Sequence, residues 1–171
     1  MDDLIHEWRG NALPPYLAAA AVQDPSIAVW QALEGSAWRI YAPNPPALAL
    51  GWQRLQKLRC IDGASAGAGA PAPIHYVVEA DVSASNEEEF NAWYETEHLP
   101  GLARVPGAIR AQRWRRLEGT PRYVACYDLL SIQTVEHPAW LAVRHTPWSD
   151  RVRKMFLNTQ RTMFRRAAPP P

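Results

Sequence analysis

The chain has 171 residues, of which 47% are hydrophobic and 20% are charged, and its formal net charge is +1. This composition is typical of a folded globular protein, and the near-neutral charge gives no reason to expect a polyanionic partner. The sequence contains no run of about eighteen apolar residues and no apolar segment of a secretory signal, so we expect a cytoplasmic protein without a membrane span. Two cysteines, Cys60 and Cys126, are too few for a disulfide framework.

A sequence pattern, W-x-x-L-E-G-[S/T], occurs twice, at residues 30–36 and 114–120. Repeats of this kind predict two similar structural units in one chain. Upstream matches keep the same order: Trp8 with Trp93, and Pro15, Leu17 and Ala18 with Pro100, Leu102 and Ala103.

The first unit, residues 1–62, is predicted to be incomplete. A helix is expected from about Glu7 and Trp8 to Ala21, so the strand that would open the unit is missing. Two strands are expected near residues 28–33 and 38–41, and then a helix over residues 46–58. A missing strand would leave an unpaired sheet edge, which a second chain could cover.

Residues 63–73 are rich in Gly, Ala and Pro and predict a flexible linker.

The second unit, residues 74–171, shows clearer periodicity. Its predicted elements are a strand at 74–82, a helix opened by a Ser85–Glu88 capping box and ended by Pro100 and Gly101, strands at 109–117 and 122–130, a helix at 137–157 with a kink or break at Pro147, and a strand at 159–166.

The order β-α-β-β-α-β in the second unit is that of the ferredoxin-like fold. Two helices then cover one face of an antiparallel sheet, and the other face needs a second unit to cover it. We therefore expect an α+β protein made of tandem ferredoxin-like units, the first lacking its first strand, packed as an internal pseudo-dimer.

Residues 93–100, WYETEHLP, followed by Val105, Pro106 and Gly107, resemble the EthD-like branch of the dimeric α+β-barrel superfamily. The resemblance covers residues 74–166 well and the first unit weakly. It implies a barrel-like homodimer, or a pseudo-dimer within one chain, and a cavity between sheet and helices with a histidine near its mouth. The superfamily includes cofactor-free oxygenases, polyketide cyclases, lactone isomerases and members without known activity, so no cofactor is expected.

His98 is the best acid–base candidate because imidazole titrates nearest to neutral pH. Tyr94 lies one turn earlier on the same helical face, where its hydroxyl is suited to orient a substrate. If these residues are catalytic, we expect a cavity of about 300 Å³ or more beside them. The alternative is that His98 only caps the end of its helix. Candidate substrate-binding residues are Trp93, Glu97, Arg110, Arg113, Trp114, Tyr123 and Tyr127.

The two repeats differ at this position, because Leu13 and Ala12 stand in the first unit where His98 and Glu97 stand in the second. The second unit is therefore the one expected to hold a site. No metal site is predicted, since His137 and His145 lack further ligands nearby. His75 is assigned no role, and Cys126 is expected to be a small buried hydrophobic residue.

Positive charge is concentrated in the last part of the chain. Residues 99–171 hold thirteen Lys or Arg and four Asp or Glu, whereas residues 76–98 hold seven acids and no base. The basic part is either a solvated surface balanced by acids nearby in space or the wall of an anion-binding pocket. No nucleic-acid-binding motif accompanies these arginines, so no such partner is expected.

The leading functional hypothesis is a small cofactor-independent enzyme that moves a proton on a hydrophobic, aromatic or lactone-type metabolite, as an isomerase, cyclase or monooxygenase. One alternative is a non-catalytic module that binds a small ligand. The other is an accessory or assembly protein of a metabolic pathway.

Overall fold

The computed structural model describes residues 3–10, 12–42, 52–67 and 71–167. Within these residues, the first half of the chain contains β1 (Asp3–Arg9), α1 (Pro15–Gln23), β2 (Ala28–Ala32), β3 (Ala37–Ala42) and β4 (Trp52–Asp62). The second half contains β5 (Ile74–Asp81), α2 (Glu87–Trp93), α3 (Leu99–Ala103), β6 (Ala108–Arg116), β7 (Tyr123–Leu129), α4 (Pro138–Arg144), α5 (Pro147–Val152) and β8 (Leu157–Arg166).

The strands of the described residues close into one antiparallel barrel in the order β1-β3-β2-β8-β5-β7-β6-β4. Each half has the same internal order, β4-β1-β3-β2 in the first and β8-β5-β7-β6 in the second. The halves are joined where β2 pairs with β8 and where β4 pairs with β6. The chain is therefore an α+β protein, and its strand order is that of the split βαβ unit.

The prediction that the first unit lacks its opening strand is wrong. Residues Asp3–Arg9 form β1, which pairs with β3 on one side and β4 on the other. The first helix begins at Pro15, not near Glu7, because proline suits the first turn of a helix, where its missing N–H costs nothing. Since β1 is paired on both sides, the free edge predicted there does not exist.

The prediction of a helix over residues 46–58 is also wrong for residues 52–58. Residues 43–51 lie outside the described residues, and the chain from Trp52 onward is strand β4. This strand pairs with both β1 and β6. The two ladders outweigh the helix-forming character of its Gln, Lys, Arg and Leu residues.

Two helix boundaries in the second half differ from the prediction. The helical segment does not end at Pro100 and Gly101, because both residues lie inside α3. The predicted capping box does not form: α2 begins at Glu87, and the Ser85 hydroxyl lies 3.0 Å from that of Ser83. The expected break at Pro147 is present, since it separates α4 from α5.

The sequence repeat corresponds to equivalent places in the two halves. Trp30 on β2 and Trp114 on β6 both lie in the core inside the barrel. In the turns that follow, Gly35 and Gly119 have φ values of 76° and 82°, a left-handed conformation that favours glycine. The match between Trp8 and Trp93 is not structural, since one lies on β1 and the other on α2.

The start of the predicted linker packs against the second half. The backbone N–H groups of Gly63, Ala64 and Ser65 donate to the carbonyls of Ile109, Ala103 and Ala108, each over 2.8 Å. Residues 68–70 lie outside the described residues.

The alternation of the strands divides the core into a barrel interior and a helix-covered face. On β5, Val77 packs inside the barrel, whereas Tyr76 and Val78 pack under the helices of the second half. A third, smaller cluster lies beneath α1 and includes Leu17 and Ile40. Because successive strand residues point to opposite faces, one strand supplies side chains to two separate environments.

Candidate functional site

A π-helical turn, Tyr94–His98, connects α2 to α3. The N–H of Leu99 donates to the carbonyl of Tyr94, five residues earlier. Pro100 has no N–H to continue the regular ladder, which accounts locally for the irregular turn. Single π turns inside helices are common at functional sites.

The turn buries His98 among aromatic rings. Its imidazole stacks on Trp93, with ring centroids 4.0 Å apart and an interplanar angle of 22°. Tyr94 meets the imidazole edge-on at 5.4 Å. The capping alternative is not supported, because the helical segment continues past His98 and its side chain makes no cap hydrogen bond.

Burial and positive charge keep His98 neutral. Removal from water is the main cause that lowers its pKa, and repulsion from Arg144, Arg153 and Arg113 adds to it, so that the pKa falls to about 3. The imidazole is therefore uncharged near pH 7, and one ring nitrogen is an acceptor.

The cavity beside His98 is small, about 30 Å³. The expected cavity of ten times that size is therefore absent, and this volume holds about one water. Aromatic rings form most of the wall, and three arginines, Arg144, Arg153 and Arg161, lie at it. The aromatic lining residues are Tyr76, Trp93, Tyr94, Tyr127, Trp140 and Phe156.

Three buried polar atoms on residues that line this cavity have no hydrogen-bond partner among the described residues: His98 Nδ1, the Tyr127 hydroxyl and Trp140 Nε1. Buried polar groups are nearly always paired, because an unmet group costs about 1–3 kcal/mol. Burial also raises the pKa of Tyr127 well above its usual value, so its hydroxyl remains a donor. The set offers two donors and one acceptor to a ligand.

Glu97 lies behind Trp93 and does not line the cavity. Its Oε1 accepts a hydrogen bond from Trp93 Nε1 over 3.2 Å and one from the Thr146 hydroxyl over 2.6 Å. Thr146 lies at the junction of α4 and α5 and also caps α5 through Ser149. Glu97 thus links the wall of the cavity to the second pair of helices.

Arg113 and Tyr123 lie on the same sheet face but line a different pocket, of about 350 Å³. The Arg113 guanidinium stacks over Tyr94 at 4.3 Å and over Tyr123 at 4.8 Å, and donates to Asn91 Oδ1 over 2.7 Å. It therefore packs against the ring of Tyr94 from within a different pocket.

Arg110 and Trp114 do not join the other candidates. Both line a pocket at the mouth of the barrel, on the opposite face of the sheet. Of the predicted residues, the structure thus brings Trp93, Tyr94, His98 and Tyr127 together around one cavity.

Arg144, Arg153, Arg161 and Tyr76 were not among the predicted site residues. The sequence does contain a signal for the arginines, because all three belong to the basic part of the chain, residues 99–171. The period-two pattern of β5 is a signal for Tyr76, which points to the helix side with Val78.

The first half has a larger pocket of a different kind. It has a volume of about 580 Å³, lies beside α1 and is lined mainly by apolar residues that include Leu13, Ile27 and Trp38. Arg166 is its one charged lining residue among the described part of the chain. This pocket therefore lacks an acid–base group among its described lining residues.

Within the described ranges, no cluster of three or more His, Cys, Asp or Glu is arranged to hold a metal ion. No helix in the same part of the chain is long and apolar enough to cross a membrane.

Solved structures with the same fold cover almost the whole chain. A ferredoxin-fold protein related to antibiotic biosynthesis monooxygenases, from Listeria monocytogenes, aligns with a TM-score of 0.66 and 9% identity over 98% of this chain and 95% of its own. The chain has the ferredoxin-like fold of these proteins. An anthrone oxidase-like protein aligns with a TM-score of 0.61 and 11% identity, covering 98% and 91% of the two chains.

A third solved structure, described as a major regulator of staphylococcal pathogenesis, aligns with a TM-score of 0.64 and 8% identity over 96% of this chain and 99% of its own. No protein-family model and no curated protein sequence matches the chain. Because this fold carries both monooxygenase-like and regulatory descriptions, the function must be argued from the site.

Proposed function

We propose that the protein is a cofactor-independent enzyme of the antibiotic-biosynthesis-monooxygenase type that acts on an aromatic compound with an acidic O–H or C–H group. The observation that carries the proposal is the cavity of the second half, where His98 Nδ1, the Tyr127 hydroxyl and Trp140 Nε1 are all buried without partners. The shared fold with the monooxygenase-related and anthrone oxidase-like structures supports the reaction class.

The charges at the cavity favour a substrate that becomes an anion. Three arginines lie at its wall. The pKa of His98, about 3, lies about seven units below that of a phenol such as tyrosine, a gap of about 10 kcal/mol. Neutral His98 removes such a proton only if the anion is stabilised where it forms.

A bound phenolate or enolate supplies this compensation. It neutralises the charges of Arg144 and Arg153, two of the arginines that lower the pKa of His98, and it accepts hydrogen bonds from Tyr127 and Trp140. His98 then holds the proton, while the Trp93 and Tyr94 rings orient the aromatic body. In an oxygenase reaction, the carbanion form of anthrone, O₂ and the proton held by His98 give anthraquinone and one water.

A substrate must enlarge the cavity when it enters. Arg144 and Arg153 are half-buried: Arg144 ends α4, and Arg153 follows α5 and donates to the backbone carbonyl of Arg144 over 3.3 Å. We propose that these two side chains swing outward, because long arginine side chains change rotamer without disturbing the sheet.

The test is oxidation of anthrone, followed by oxygen consumption and by the absorbance of the quinone. His98→Ala is expected to lower kcat by about 100-fold or more while the protein still binds the anion. The control is His145→Ala, which removes an exposed histidine at the end of α4. This variant should keep wild-type turnover. Absence of both turnover and binding for aromatic anions would overturn the proposal, and binding without turnover would establish the ligand-binding alternative.

We further propose that the two halves are an internal pseudo-dimer with units at residues 1–62 and 74–171 and a linker at 63–73. The shared strand order and the equivalent Trp30 and Trp114 support this proposal. A monomeric mass by light scattering is the expected result. The finer resemblance to the EthD-like branch rests on residues 93–100, on Val105, Pro106 and Gly107, and on the strand order.

A further inference from the structure

The pocket that Arg110 and Trp114 line has a volume of about 270 Å³ and lies at one mouth of the barrel. Both halves of the chain contribute to it, with Trp30 from β2, Tyr41 from β3, His75 from β5, Trp114 from β6 and Asp128 from β7. We call it the barrel-mouth pocket; its other lining residues are Pro25, Ser26, Ala28, Arg110, Gln112 and Arg166.

A chain of hydrogen bonds fixes the imidazole in this pocket. His75 Nδ1 lies 2.7 Å from Asp128 Oδ1, and His75 Nε2 lies 3.0 Å from the Tyr41 hydroxyl. The Tyr41 hydroxyl lies 3.5 Å from Cys126 Sγ. Two patterns satisfy these contacts. In one, a protonated His75 donates to Asp128 and to Tyr41, and Tyr41 donates to Cys126; in the other, a neutral His75 donates to Asp128 through Nδ1 and accepts from the Tyr41 hydroxyl through Nε2.

The barrel-mouth pocket carries net positive charge. Burial opposes protonation of His75, but Cys126 and Asp128 outweigh it and raise the pKa of His75 to about 9. Arg110 and Arg166 add two cations, whereas Asp128 is the one acid among the described lining residues. A pocket with this balance attracts anions.

The walls of the pocket are flat and aromatic. Trp30 stacks on His75 with ring centroids 4.7 Å apart, and the Arg166 guanidinium lies over Trp30 at 5.3 Å. Trp114 is 2% exposed, and its Nε1 is buried without a hydrogen-bond partner. An unmet buried donor in the wall of a pocket is a place for a ligand acceptor.

We propose that the barrel-mouth pocket is a second ligand site that binds a small planar aromatic carboxylate. The carboxylate lies near Arg110 and Arg166, and the ring lies against Trp30 and Trp114. This site is separate from the His98 cavity, because the strand alternation places the two on opposite faces of the same sheet.

The experiment is a titration of the full chain with benzoate, followed by the indole N–H signals of ¹⁵N-labelled tryptophan. Single Trp→Phe variants assign the signals. Benzoate is expected to move the signals of Trp30 and Trp114, whereas benzamide, its neutral analogue, moves them weakly or not at all. A benzoate titration that moves only Trp93 and Trp140, or that benzamide reproduces equally, overturns the proposal.

A matched pair of variants tests the role of charge. Arg166→Gln is expected to weaken benzoate binding roughly tenfold or more. Arg165→Gln removes the neighbouring exposed arginine, which bonds Gln31 instead, and should leave the affinity unchanged. Both residues are exposed, so the spectra of both variants should show a folded protein. Equal affinity in the two variants would contradict the site.

Discussion

His75 and Tyr76 are neighbours on β5 and face two different sites. The imidazole of His75 lines the barrel-mouth pocket, whereas the ring of Tyr76 lines the cavity of His98. The same division recurs on β7, where Tyr127 lines the cavity and Asp128 lines the pocket. The sheet therefore separates two histidines of opposite character: His75 lies on β5 and faces the pocket, whereas His98 lies in the π turn that covers the other face.

We expect the protein to lose stability at alkaline pH because of His75. Its pKa is raised from 6.5 to about 9 in the folded chain. The stabilisation is therefore complete below pH 6.5 and is lost as pH rises through about 9, and we expect a loss of about 1–3 kcal/mol. The groups that face His75 are Asp128, Tyr41 and Cys126, with Arg110 and Arg166 in the same pocket.

The measurement is urea unfolding between pH 6 and pH 10, for the wild type and for His75→Gln. The difference in unfolding free energy between the two proteins should shrink across this range. A difference that stays constant with pH would show that the imidazole is not charged in the folded protein.

A buried ion cluster connects the two halves inside the barrel. Glu79 on β5 accepts from Arg39 on β3 over 2.8 Å and from Arg116 on β6 over 2.5 Å, and Glu7 on β1 accepts from the same two arginines. The two arginines and Glu79 are each less than 5% exposed. Glu79 is therefore the buried counter-charge for two guanidinium groups.

Glu79→Ala should destabilise the protein by about 3–5 kcal/mol, because it leaves the partly exposed Glu7 as the one carboxylate paired with two buried guanidinium groups. Glu118→Ala is the control, since Glu118 pairs with Arg54 at the surface and exposed pairs contribute about 1 kcal/mol or less. Thermal unfolding checks both. Similar melting temperatures for the two variants would show that Glu79 does not hold the halves together.

The second half could be predicted well because its strands have strong local signals. Residues 74–82 are rich in β-branched and aromatic residues, and the alternation on β6 separates Arg113 from Arg110 and Trp114. The first half gave weaker signals. β1 and β4 are strands because of their partners, and the sequence of β4, with Leu55 and Leu58 three residues apart, resembles a helix.

The two sites were predictable to different degrees. Trp93, Tyr94 and His98 lie within six consecutive residues, so a local motif identifies them. The His75 cluster has no local motif, because Tyr41 and Asp128 are 34 and 53 residues away in the chain. The π turn that buries His98, and the small volume of its cavity, depend on packing that the sequence pattern does not encode.

A substitution at Gly63 tests whether the start of the predicted linker is tightly packed. A Cβ at this position would lie 2.2 Å from the backbone oxygen of Ala108, so Gly63→Ala must displace the backbone and should cost about 3 kcal/mol. Gly119→Ala is the control, because a Cβ there meets nothing within 4 Å and only the positive φ opposes it, at about 1–2 kcal/mol. Chemical denaturation compares the two, and a neutral Gly63→Ala would indicate a loose linker.

Glu97 should act as a positioning residue for the aromatic wall of the His98 cavity. Glu97→Ala leaves Trp93 Nε1 buried without its acceptor, so the expected loss of unfolding free energy is about 1–3 kcal/mol. Glu97→Gln keeps an acceptor oxygen and should restore most of it. The stacking of Trp93 on His98 at 4.0 Å gives a second measurement, the ring-current shift of the imidazole protons. The shift should fall in Glu97→Ala and return in Glu97→Gln; an unchanged shift in both would mean that Trp93 is held by packing alone.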